Sequence, residues 1–250
     1  MEVITAAALR QRHRHIREAQ SQAMATRLHR SISWLRRSEA NENDDDTRFI
    51  HLWISLNAAY AGEFDEESSE QKRVANFVSR LVSADTEQHL HTLLFEHFTG
   101  HIRLLIDNRY VFAPFWRALR DHDSSERWKE QFDSDRRTAM DALLGKRTTD
   151  LLTIVLSRLY VLRNQLVHGG ATWNSSVNRQ QLRDGCGLLG ALMPIIISVM
   201  MEADAFENDA IAYPVLPEYT SAAQVGTSPA NPAPFLQGPA TATGTVATTD

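Results

Sequence analysis

Residues 148–170 read TTDLLTIVLSRLYVLRNQLVHGG, an apolar run at helical periodicity that stops at a glycine pair. A glycine just past the last turn is a common way to end a helix, so the run is an α-helix with His168 at its C-terminus. The unsatisfied carbonyls there carry partial negative charge. They favour a protonated imidazole and keep it within reach of either role in proton transfer near neutral pH. At 100° per residue, Asn164 and His168 share a face one turn apart, whereas Arg163 lies about 140° from His168 and must curl around to join them.

Outward from this helix the same periodicity recurs over most of the chain. Residues 47–60 (TRFIHLWISLNAAY) carry Phe49, Leu52, Trp53, Leu56 and Tyr60 at i, i+3, i+4, i+7 and i+11, with Thr47 or the preceding aspartates as N-cap and Gly62 beyond the end. Further helices are predicted at residues 70–83, 86–108, 125–144 and 176–203, the second interrupted at Gly100. No stretch alternates as a strand would, and no repeat has a fixed period. The fold class is all-α.

A 250-residue chain with 43% hydrophobic residues has ample material for a core. The formal net charge of −5 argues against a surface that coats nucleic acid indiscriminately, so any polyanion site must be local. The single cysteine, Cys186, has no companion thiol for a disulfide or a metal site, which points to a reducing compartment. Met1-Glu2-Val3-Ile4-Thr5 lacks the basic start and apolar run of a secretory signal, and a cytoplasmic location is expected. Residues 188–201 form the stretch most like a membrane span. They are too few for a bilayer crossing, which wants about 20 apolar residues, and read as a buried helix with no membrane partner.

Charge is unevenly spread. Residues 1–38 hold eight arginines (10, 12, 14, 17, 27, 30, 36 and 37) against Glu2 and Glu18, a net of +6, which leaves −11 for the remainder. Ile16, Ala23, Met24, Leu28, Ile32 and Leu35 lay an apolar stripe along this segment, making it a basic amphipathic helix. An acidic connector ending in Asp44-Asp45-Asp46 closes this first region at residue 46. The helical domain then spans residues 47–213. From Pro214 onward six of the eight prolines fall among Ala, Thr and Ser, and residues 214–250 are expected to be a disordered tail.

A guanidinium, an amide and an imidazole at one helix end suit a phosphodiester. Arginine grips the non-bridging oxygens in a fork, and histidine handles a proton. The plain alternative is that Arg163 and His168 only complement the helix dipole. The segment Arg163-Asn164-Gln165-Leu166-Val167-His168 resembles the R-x4-6-H signature of HEPN domains, and its polar second position resembles the RNxxxH form of RNA-targeting CRISPR effectors. Its position late in a helical domain, before a long apolar helix, fits that family. Residues 48–60 are similar to the stand-alone Apea-like HEPN proteins.

The resemblance implies a helical bundle that pairs as a homodimer, bringing two motifs to one cleft. It also implies RNA cleavage through the substrate's own 2′-hydroxyl, with no metal or cofactor, leaving a cyclic phosphate and a 5′-hydroxyl. In that reading Arg163 stabilises the transition state, His168 is the acid or base and Asn164 orients the site. A role in phage defence or as a toxin follows by the same route, with RNA as substrate and an antitoxin or sensor protein as a possible partner. Family members regulated by nucleotidylation carry a tyrosine where this chain has Gly170. A catalytically silent HEPN module that binds RNA, a nucleotide or a protein is the alternative.

Other residues have two readings. Arg10, Arg12, Arg14, Arg17, Arg36 and Arg37 would steer RNA or meet an acidic membrane surface or partner, or else pair with the protein's own acids at residues 44–46 or 63–67. Arg179, in a Ser176-to-Arg179 helix start, joins the RNA-binding set. His97 and His101 stand one turn apart, but the run lacks the glutamate of a zinc-protease helix and no cysteine supplements it. Phe49, Trp53 and Tyr60 are placed for core packing rather than base stacking, and Asn57 beside them wants a buried hydrogen bond.

Overall fold

Where the sequence suggests one basic helix, the chain forms two. α1 (Ala6–Ile16) starts at Thr5, whose hydroxyl accepts from the Ala8 N–H, and α2 (Gln22–Glu39) starts at Ser21, which accepts from the Met24 N–H. The break is held from outside. Ser21 donates its N–H to the Glu207 carboxylate at 2.8 Å and its hydroxyl to the Glu207 carbonyl at 2.7 Å. These contacts lie 186 residues away in sequence, beyond the reach of local periodicity. The structure, a computed structural model, describes residues 4–60, 70–176 and 178–216.

Both basic helices belong to the core. Leu9, Met24, Leu28, Ile32 and Leu35 are all buried, against α3 (Asp45–Tyr60) and α10 (Arg179–Glu202). Ser31 and Ser55 let α2 and α3 approach, each hydroxyl donating to the other's backbone carbonyl, at 2.9 and 2.7 Å. The aromatic row is interior: Phe49 stacks on Trp53, Trp53 meets Tyr160, and Tyr60 meets Phe77. Asn57 departs from expectation, since its buried Oδ1 finds no hydrogen-bond partner among the described residues.

α10 crosses α3 closely because Gly185 has no side chain. A Cβ there would sit 2.8 Å from Phe49 Cε2. α10 is long and apolar enough to cross a membrane by length and composition, and 72% of its apolar window is buried inside the fold. Beside that crossing, burial pushes the Cys186 thiol up to about 12, and its Sγ donates to the Asp45 carbonyl at 3.3 Å.

α4 (Glu70–Ala84), α8 (Arg127–Leu144) and α9 (Thr148–Val167) fall where periodicity predicts them. The helix expected over 86–108 is broken elsewhere than expected. α5 (His89–Thr92) runs into a π-helical turn at Leu93–His97, and α6 (Thr99–Ile106) begins after Phe98, so Gly100 lies in the first turn of α6. A 3₁₀ turn at Arg109–Val111 and α7 (Ala113–Arg120) follow, neither of them anticipated. Among the described residues there is no strand. The all-α class holds.

Two buried arginines tie distant elements together. Arg158 on α9 bonds Asp135 on α8 with its guanidinium over Phe112 at 4.7 Å. Arg27 on α2 reaches Asp209 at 3.1 Å and the Ala210 carbonyl at 2.6 Å, while Arg80 on α4 takes the other Asp209 oxygen at 2.8 Å. The segment after α10 is thereby pinned to α2 and α4. The described residues up to Tyr213 form one compact unit. The tail read as disordered lies outside the described residues from 217 onward.

Candidate functional site

The end of α9 is closed by its glycines in a way that sets the orientation of His168. The Gly170 N–H donates to the Gln165 carbonyl at 2.7 Å and the Gly169 N–H to the Leu166 carbonyl at 3.3 Å. This pair of bonds is the Schellman arrangement, which requires a left-handed residue, and Gly169 supplies it at φ +69°. Substituting Gly169→Ala is expected to cost about 1 kcal/mol through the Cβ penalty at that φ. A fall in the thermal midpoint checks it, and an unchanged midpoint would show that the helix end has another support.

His168 is the C-cap, its N–H donating to the Asn164 carbonyl at 3.0 Å. Its side chain is exposed and makes no hydrogen bond or ion pair among the described residues. Arg163 is half-buried and donates from Nη1 to Asn164 Oδ1 at 2.9 Å, with its guanidinium 5.8 Å from the centre of the Tyr160 ring. The guanidinium thus bonds its sequence neighbour Asn164. Tyr160, three positions before Arg163, went unremarked in the sequence, although i, i+3 spacing points to it.

The surroundings of this helix end are apolar and open. Val167 is 52% exposed and Trp173 is 74% exposed. Gln165 donates to the Tyr110 carbonyl at 2.6 Å, and Trp116 donates to the same carbonyl at 2.7 Å. Tyr110 and Trp116 are themselves exposed, so a patch of large apolar side chains adjoins the end of α9.

The loop after α9 folds onto the start of α3. Trp173 Nε1 reaches Asp44 at 3.4 Å, the Asn174 N–H reaches Asp46 at 3.2 Å, and Arg179 reaches Asp46 at 2.7 Å and Asp45 at 3.6 Å. These bonds hold the Arg179 guanidinium above its ordinary range, the Asp46 hydrogen bond first among them. Arg179 is therefore a structural cation that clamps α10 to α3, not a free phosphate ligand. The expected helix start at Ser176 is corrected as well, since α10 begins at Arg179 with Asn178 as its cap residue.

The basic set of the first two helices also divides. Arg12 donates to Ser198 at 2.8 Å and to Glu202 at 2.6 Å on α10, an internal anchor that removes it from the free cations. Arg10, Arg14, Arg17, Arg36 and Arg37 are exposed and form no ion pair among the described residues. Arg10, Arg36 and Arg37 line an open groove with His13, His29, Trp34 and His51, none of which the sequence reading picked out. His101 lies 4.0 Å from Asp184, and no group of three or more His, Cys, Asp or Glu converges among the described residues. Compared with known protein families, curated proteins and solved structures, the chain matches none.

Proposed function

We propose that the chain cleaves RNA at the C-terminal end of α9, without a metal ion and as a homodimer. The observation that carries this reading is the exposed, unpartnered His168 imidazole one turn past the bonded Arg163–Asn164 pair. In the step it suits, the ribose 2′-oxygen attacks the adjacent phosphorus and the bond to the 5′-oxygen breaks, leaving a 2′,3′-cyclic phosphate and a 5′-hydroxyl. One imidazole takes the proton from the 2′-hydroxyl and a second gives one to the leaving oxygen. Arg163 pairs with the non-bridging oxygens, and Asn164 aims it.

A chain with one such motif acquires the second imidazole from a second copy. The exposed Tyr110, Trp116 and Val167 beside the motif supply an apolar surface for isologous pairing. The resemblance to HEPN proteins extends the reading to phage defence or toxicity, with an antitoxin or sensor as the restraining partner. A second reading has its own support. The Arg163 guanidinium is already engaged by Asn164 and Tyr160 of its own helix, which suits a silent module that retains the motif for shape.

The test is incubation of the purified chain with mixed-sequence RNA in EDTA, with end analysis of the products. Cutting that leaves cyclic phosphate and 5′-hydroxyl ends, and that stops when the scissile nucleotide is 2′-deoxy, is the expected result. Absence of cutting in a chain that still binds RNA would favour the silent module.

A further inference from the structure

Arg10, Arg14, Arg36 and Arg37, which escape internal pairing, converge on one surface. A groove of about 770 Å³ is lined by Arg10, His13, His29, Trp34, Arg36, Arg37 and His51. A second cavity of about 650 Å³ shares Arg10 and Arg36 and continues to Arg14 and His15. The two form one elongated basic track along the contact of α1 with α2. Acids are scarce there. α1 holds none, and the single acid of α2, Glu39, is occupied by the Ala6 N–H at 2.8 Å.

We propose that this track binds a single-stranded nucleic-acid segment, its phosphates against Arg10, Arg14, Arg36 and Arg37 and a base against Trp34. Nucleic-acid channels without sequence preference combine these two features, cations along the backbone and an aromatic face for a base. Trp34 is 37% exposed on the groove wall, its ring tilted 33° against His51 with centroids 5.4 Å apart. The length of the track, two adjoining cavities with shared walls, suits a polymer better than one nucleotide. The same wall carries unsatisfied polar atoms. His13 is 5% exposed and its Nε2 finds no partner, nor does the buried Nδ1 of His51.

Charge explains why the histidines wait for an anion. Burial first, then neighbouring positive charge, lowers all three imidazoles from their ordinary value: His29 when protonated and Arg17 act on His13, where the Ala25 backbone opposes, Arg10, Arg17 and Arg30 on His29, and Arg37 on His51, where Asp44 opposes. They are neutral near pH 7. A bound polyanion favours their protonated forms, so binding takes up protons and tightens as pH falls. This assignment does not require the end of α9 to be catalytic.

The experiment is fluorescence anisotropy of the full chain with single-stranded DNA and 2′-O-methyl RNA of about 12 nucleotides. Neither polymer offers a free 2′-hydroxyl, so binding is read whether or not the chain cleaves RNA. Expected are binding of single strands in preference to the duplex, a loss of at least about tenfold in Arg36→Glu/Arg37→Glu, and a loss of at least about fivefold in Trp34→Ala. Affinity is expected to rise severalfold from about pH 8 to about pH 6. All three side chains are exposed, and circular dichroism confirms that the variants fold. The proposal is overturned by unchanged affinity in the double variant, by equal binding of the duplex, or by equal binding of polyglutamate.

Discussion

Replacing His168 with alanine is expected to slow RNA cleavage by about 10²- to 10⁴-fold, the usual contribution of a positioned acid or base. The fold has little stake in the imidazole, which is exposed, and its residue caps α9 through a backbone N–H that alanine retains. The thermal midpoint is therefore expected to move only slightly. Arg163→Lys is the sharper companion. It keeps the charge and removes the fork that pairs with two phosphate oxygens, and a loss of at least about tenfold is expected. Wild-type rates in His168→Ala would remove the end of α9 from the chemistry, and a loss explained by unfolding would show in the midpoint.

Asp209→Ala is expected to destabilise the chain by about 3–5 kcal/mol, the cost of stranding a buried cation. Arg27 is 2% exposed and Asp209 answers it directly, while Arg80 depends on the same carboxylate. Burial already lowers the Arg27 guanidinium from its ordinary value, with Asp209 opposing that shift, so removal of the acid takes away the charge that offsets its desolvation. In a domain of this size each kcal/mol moves the midpoint by about 2–4 °C, so a fall of roughly 10 °C is anticipated. Arg27→Met added to Asp209→Ala should recover part of it, because an apolar side chain needs no counter-charge. A change below about 1 kcal/mol in Asp209→Ala alone would show that the Ala210 carbonyl is a sufficient partner for Arg27.

Local signals account for what was readable in advance. α3, α9 and α10 each bury a periodic stripe, and α9 also stops at a left-handed glycine, so there pattern and stop signal agreed. α7 is only eight residues, none of them buried, and a pattern that marks buried faces has nothing to detect there. The break between α1 and α2 escaped because Glu207 enforces it from the far end of the chain. At the candidate site, the Arg163–His168 spacing and the glycine stop were legible within one helix. Trp34, His13, His29 and His51 were not, since they meet only when α1, α2 and α3 pack together.

By itself the sequence determined the all-α class, the end of α9 at His168 and the excess of positive charge in the first 38 residues, because period, stop residues and charge count are local properties. Tertiary structure alone decided which cations are free. Arg12 and Arg179 are spent on Glu202, Asp45 and Asp46, whereas Arg10, Arg14, Arg36 and Arg37 face solvent together. A guanidinium pairs with whatever carboxylate the fold brings within reach, and that partner is chosen by the packing of helices distant in the chain.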